Sequence, residues 1–149
     1  MSQANSVFKE KSVVIVLALC VFTFGLYVIF RLWQLTKIFN SKTESYISKA
    51  FTTTAISIYL VSLLGLIYYF LFPAPVALLI TAKLLHLLSA IFHIVWIIKV
   101  RNRINRINNV SKGNALWLGP FLSSFFHVIY FQHKINQSIG SEAADKLAI

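Results

Sequence analysis

FTTTAISIYLVSLLGLIYYFLF (residues 51–72), PAP (73–75) and VALLITAKLLHLLSAIFHIVWII (76–98) decide how this chain folds. The first run carries no ionisable side chain except tyrosine, and the second is interrupted only by Lys83, His86 and His93. A helix rises about 1.5 Å per residue, so roughly 20 apolar residues cross a hydrocarbon core about 30 Å thick. Pro73 and Pro75 lack an N–H and restrict the residue before them, which ends one helix and begins another. The stretch therefore reads as a helical hairpin of membrane-spanning length.

Similar runs flank it. Val13–Phe30 is free of charge, and Ala115–Phe131 contains only His127. The expected fold is all-α, one membrane domain over residues 1–149 with four transmembrane helices at 13–30, 51–72, 76–98 and 115–131. They pair as two antiparallel hairpins. Gly119-Pro120 either kinks the fourth span or marks a late helix start. Leu17-Ala18-Leu19-Cys20 resembles a lipoprotein cleavage box only superficially, because Leu19 stands where a small residue is needed. The run also continues ten residues past Cys20, so an uncleaved helix is expected.

The 149 residues are 58% hydrophobic and 12% charged, with a formal charge of +10. Soluble domains carry about 25% charged residues, so composition agrees with a membrane protein. With cations beside apolar runs, anionic lipid headgroups are the expected partner and nucleic acid is not. A lone cysteine, Cys20, excludes an intramolecular disulfide.

Nine cations lie in the two long connections: Arg31, Lys37, Lys42, Lys49, Lys99, Arg101, Arg103, Arg106 and Lys112, against Glu44 alone. The ends carry Lys9, Lys11, Lys134 and Lys146 against Glu10, Glu142 and Asp145. The positive-inside bias thus puts segments 31–50 and 99–114 in the cytoplasm and the ends outside, with Lys9 and Lys11 in opposition. Helical extensions are expected at the interface. Leu32, Leu35 and Phe39 recur at helical spacing beside Arg31, Gln34 and Lys37, as do Val100, Ile104 and Ile107 beside Arg101, Arg103 and Arg106. Trp33, Trp96 and Trp117 fall near the same edges. Arg31, Trp33, Lys37, Lys99, Arg101, Arg103 and Arg106 are the candidate contacts to anionic lipid or a partner.

Three stretches share a pattern: Thr23–Phe30, Ser89–Trp96 and Ser123–Tyr130. Each reads hydroxyl, two varied residues, apolar, Tyr or His, two β-branched residues, then an aromatic. A true repeat would make the first and third spans equivalent, as in parallel transporter repeats. Thr23-Phe24-Gly25-Leu26-Tyr27-Val28-Ile29-Phe30, followed by Lys37 and Asn40, resembles a bacterial multi-pass membrane-protein family of unknown function. That family is marked by a Thr-x-Gly-apolar-Tyr-x-x-aromatic-Trp stretch followed by Lys and Asn. The ending Ile129-Tyr130-Phe131-Gln132-His133-Lys134-Ile135-Asn136 is similar to the family's aromatic-Lys-Asn terminus. Arg31 replaces the family tryptophan, and Trp33 lies two positions on. The resemblance implies a multi-pass protein of the bacterial cytoplasmic membrane and supplies no activity.

No Asp or Glu enters any apolar run. This weakens ion-coupled transport and removes carboxylate acid–base chemistry and aspartyl proteolysis from the spans. No Gly-x-Ser occurs there either, so no catalytic residue and no metal site is assigned. The polar intramembrane candidates are Lys83, His86 and His93 on the third span and His127 on the fourth. Positions 83, 86, 90, 93 and 97 form one stripe, expected to face the bundle. His86 and His127 each sit roughly 18 Å from their cytoplasmic edges at 1.5 Å per residue. Such a pair could bind haem b, line a transport path, or join helices by hydrogen bonds with Ser89, Ser123 and Ser124. Helix joining is the preferred reading, and no cofactor is expected.

Gly25, Gly65, Ser57, Ser62, Ser89 and Ala90 offer small faces for packing, in a homo-oligomer or against a larger membrane partner. The functional expectation is a non-enzymatic scaffold, regulator or accessory subunit. A small transporter or channel is the alternative.

Overall fold

The computed structural model describes residues 7–23, 25–44 and 46–147, with the side chains of Glu142, Asp145, Lys146 and Leu147 outside that description. The described residues are helical, with no strand among them. The helices are α1 (Val13–Phe22), α2 (Leu26–Lys42), α3 (Lys49–Leu71), α4 (Val76–Ile107) and α5 (Pro120–Leu147). They divide into two compact units, 47–96 and 1–46 with 97–149, the boundary falling inside α4 between Trp96 and Ile97.

Unit 47–96 is the expected proline-turned hairpin. The Phe72 N–H bonds to the Tyr68 carbonyl at 3.0 Å as α3 ends, and the Leu78 N–H bonds to the Pro75 carbonyl at 2.9 Å as α4 begins. Thr52, Ala55, Ser62, Ala82, Ser89 and Trp96 are buried within it. These are mostly small, so the helices approach closely: a Cβ on Gly65 would stand 3.2 Å from that of Ala82. Toward the open end Phe51 stacks on Phe92 at 5.7 Å and meets Trp96 edge-on at 6.4 Å. The large residues point outward on every side, among them Leu60, Leu64, Tyr68, Leu84, Leu87 and Ile91.

Among the described residues only these two helices, α3 and α4, are long and apolar enough to cross a membrane; the expectation of four does not hold. The first run breaks. α1 has ten residues, about 15 Å or half a hydrocarbon core. Thr23 ends it by donating its hydroxyl to the Leu19 carbonyl at 2.7 Å, and caps α2 by accepting the Tyr27 N–H at 2.9 Å. Gly25 supplies the reversal with φ of 86°, a left-handed conformation that side-chain-bearing residues resist. Phe24, within the family-like stretch, lies outside the described residues.

The two ends of this run lie together. The Asn136 side chain donates to the Lys11 carbonyl at 2.8 Å. Gln132 bonds to the Lys9 carbonyl at 3.4 Å and accepts from Arg31 on α2. A span would hold Lys11 and Arg31 on opposite faces; here α1 and α2 form a hairpin closed at its base.

The last run closes likewise. The late helix start is realised, with Pro120 opening α5, where its missing N–H costs nothing. His127 then departs from helical geometry at φ 32° and ψ −116°, kinking α5. Lys134 donates to the Ala115 carbonyl at 2.6 Å, joining the two ends of the supposed fourth span. Asn105 fixes the preceding loop, donating to the Leu118 carbonyl at 3.2 Å and accepting the Leu118 N–H at 2.8 Å.

The expected interfacial stripes serve instead as a protein core. Leu32, Leu35, Phe39, Val100 and Ile104 are each no more than 1% exposed, and Leu118, Phe131 and Ile135 join them. α1 packs on α2 and α5, and α2 packs on α5. The repeat also pairs differently from expectation. Thr23–Phe30 and Ser123–Tyr130 both straddle a helix break, whereas Ser89–Trp96 lies in uninterrupted α4. Val28, Arg31, Leu32 and Leu35 are buried, and so are Val128, Phe131, Gln132 and Ile135 at the matching positions.

Candidate functional site

Arg31 is the most unusual side chain in the first unit. It follows from α2's register: with Leu32, Leu35 and Phe39 turned to the core, position 31 is carried inward as well. Only 5% of it is exposed. Its Nη1 donates to Gln34 Oε1 at 2.8 Å and its Nη2 to Gln132 Oε1. Gln132 is fixed in turn by Asn136, to which it donates at 2.6 Å. Both acceptors of the guanidinium are neutral amides. Burial, more than any neighbour, pulls the Arg31 pKa down.

Beside this network lies a cavity of about 440 Å³ lined by Val7, Phe8, Lys9 and Lys11 of the entering chain and by α2. Its cations are Lys9, Lys11, Arg31, Lys37 and Lys42; its apolar wall is Val7, Phe8, Trp33 and Ile38. No Asp or Glu among the described side chains lines it. Lys37 holds its Nζ 4.5 Å from the Trp33 ring centroid. The Lys11 pKa is lowered, first by burial and then by repulsion from Arg31.

Of the basic and aromatic candidates, the structure thus brings Arg31, Trp33 and Lys37 to one cavity. Lys99, Arg101, Arg103 and Arg106 do not line it. Arg103 acts structurally, donating to the Lys99 carbonyl at 2.8 Å and the Tyr46 carbonyl at 2.7 Å. Arg101 is turned onto Asn102 at 2.7 Å. Lys9, Lys11 and Gln132 were missed as site residues. A four-span reading puts the first two across a span from Arg31, and Gln132 carries a single polar signal, its i, i+4 spacing with Asn136 after an apolar run.

The polar stripe of α4 divides. His86 Nδ1 lies 3.2 Å from Ser62 Oγ on α3, and Ser62 gives its hydroxyl proton to the Tyr59 carbonyl at 2.8 Å. A hydroxyl has one proton, so Nδ1 is the donor and Ser62 the acceptor. Tyr59 also faces the imidazole at 6.3 Å. Ser89 is turned onto the His86 carbonyl at 2.9 Å and not onto an imidazole. Lys83 and His86 are exposed on their unit and His93 is half-buried, so the stripe is not wholly inward. His127 occupies the kink of α5 in the other unit. No group of three or more His, Cys, Asp or Glu able to hold a metal occurs among the described residues.

Comparison with known protein families, with curated proteins and with solved structures gives no significant match.

Proposed function

We propose that this chain is a membrane protein crossing the bilayer twice, through α3 and α4. In this reading it acts without catalysis, as a scaffold, regulator or accessory subunit at the headgroup layer of a bacterial cytoplasmic membrane. The observation that carries the proposal is the predominantly apolar exterior of unit 47–96, which Lys83 and His86 interrupt. A soluble hairpin would present one polar face, whereas Leu64, Phe70, Leu84, Leu87 and Ile91 are all more than half exposed.

Two spans also remove the conflict in the charge distribution. Apart from Lys83, every Lys and Arg precedes Phe51 or follows Ile98. A two-span hairpin returns both flanks to one side, so Lys9 and Lys11 now count with the other cations and that side is the cytoplasm. α1 and the start of α5 expose Val14, Val21, Phe22, Phe121 and Phe125. These short apolar helices suit partial insertion into the same leaflet. The bacterial assignment rests on the resemblance of Thr23–Phe30 to the family described above.

Single-cysteine accessibility in a Cys20→Ser background tests the topology. Ala74→Cys should react with an impermeant reagent in intact cells, while Asn109→Cys and Gln137→Cys stay protected. Four spans would put residues 109 and 137 on opposite sides. The Ser62–His86 contact supports helix joining over a conduit; a solute flux in liposomes that His86→Ala abolishes would replace scaffold with transporter.

A further inference from the structure

We infer that the cavity between the entering chain and α2 is a binding site for the phosphate group of an anionic lipid. The inference rests on the membrane reading above and adds a ligand class and a site to it.

Three observations converge. The first is Arg31, a permanently charged group 5% exposed whose Nη1 and Nη2 bonds both end on glutamine amides. A buried charge is costly unless a counter-charge or several hydrogen bonds offset it, and two amide oxygens supply only dipoles. A guanidinium offers five N–H donors in a planar fork that matches a phosphate. Gln34 and Gln132 each hold one arm of that fork, which restrains it before any ligand arrives.

The second is the sign of the surroundings. Lys9, Lys11 and Lys37 line the same cavity, and no Asp or Glu among the described side chains does. Glu10, between Lys9 and Lys11 in sequence, is exposed and not part of the lining. Folding therefore gathers like charges that repel one another. An anion reverses that repulsion into attraction and would restore the Lys11 ammonium toward its ordinary range.

The third is the apolar half of the wall. Free phosphate needs no Val7, Phe8, Trp33 or Ile38 beside it. A phosphate ester with an acyl tail uses both halves, its headgroup on the cations and its glycerol and upper chain on the apolar side. The approximately 440 Å³ is within the range of small-molecule sites. Trp33, 38% exposed, is an amphipathic ring of the kind enriched at the headgroup boundary.

The test is calorimetric titration of the full chain in uncharged detergent with dioctanoyl phosphatidate, dioctanoyl phosphatidylcholine and inorganic phosphate. Phosphatidate should bind at one site, while phosphatidylcholine, with no net charge, should bind at least tenfold more weakly. Lys11→Gln and Lys37→Gln should each weaken phosphatidate about fivefold, the effect of one cation at a membrane surface. Arg31→Gln should abolish binding, and because that variant can lose stability, the two lysine variants keep the question open to refutation. Arg101→Gln, outside the cavity, should leave affinity unchanged. Inorganic phosphate binding as tightly as phosphatidate would retain the phosphate site and overturn its lipid source. Equal losses in Arg101→Gln and Lys37→Gln, or no difference between phosphatidate and phosphatidylcholine, would overturn the site altogether. Integral anchoring, read by resistance to alkaline carbonate extraction, would persist in that case; its loss would instead refute the membrane reading.

Discussion

Replacing Gly25 and Gly140 by alanine should move stability in opposite directions, although neither new methyl group meets an atom within 4 Å. Gly25 sits at φ 86°, between α1 and α2. An L-residue there costs about 1–2 kcal/mol in backbone energy. Alanine's lower unfolded-state entropy returns about 0.4–1 kcal/mol. The net expectation is a loss of about 1 kcal/mol, with no steric contribution. Gly140 lies inside α5 with an ordinary helical φ, where alanine should gain about 0.5–1 kcal/mol. The two variants should therefore differ by about 1.5–2 kcal/mol, well above the error of a denaturant titration. The assay is reversible unfolding of the full chain in mild detergent, followed by tryptophan fluorescence. Stabilisation by Gly25→Ala equal to that of Gly140→Ala would place residue 25 in a right-handed helix. Residues 13–30 would then run on as a span, and the closed α1–α2 hairpin would be wrong.

Asn105→Ala should cost about 1–3 kcal/mol in the same titration, because both hydrogen bonds to Leu118 vanish and leave that backbone unpaired. Asn105→Asp keeps an acceptor for the Leu118 N–H and should recover part of the loss. Ser62→Ala removes the acceptor of His86 Nδ1 and should weaken the α3–α4 pair by about 0.6 kcal/mol, measured by steric trapping or a double-mutant cycle with His86→Ala. Gly65→Leu should cost about 1–3 kcal/mol by overpacking, since even a Cβ there stands 3.2 Å from Ala82. An unchanged midpoint would show that α3 and α4 do not approach at this level.

The proline-turned hairpin was fully legible, because Phe51–Phe72 and Val76–Ile98 are long, uncharged and bounded by prolines. The flanking runs misled for a definite reason. Hydropathy averages composition and ignores backbone continuity, so Thr23 and Gly25 vanish among Val21, Phe22, Leu26 and Val28. Read as a cap and a left-handed turn, the same two residues announce the break. Gly119-Pro120 did give the helix start, but nothing in the sequence marks the kink at His127. The stripes Leu32–Leu35–Phe39 and Val100–Ile104 were correctly seen as helical, yet an apolar stripe does not say whether lipid or protein covers it. The basic cavity was half legible. Arg31, Trp33 and Lys37 follow from their spacing on α2, whereas Lys9, Lys11 and Gln132 arrive through a hairpin closure and a contact 101 residues away in sequence.

The turn at Pro73-Ala74-Pro75 bears on how such a chain enters a bilayer. It is three residues long, carries no charge, and has two positions with no N–H to desolvate. In the two-span topology proposed above, delivering residues 51–98 as a pair moves only this cap through the hydrocarbon, with Lys83 the one Lys or Arg on the inserted arms. No hydrophilic domain has to be translocated. The barrier to insertion is therefore set by one lysine and a few loop carbonyls, and replacing Ala74 by aspartate should slow insertion more than any change in the hairpin's final stability would suggest.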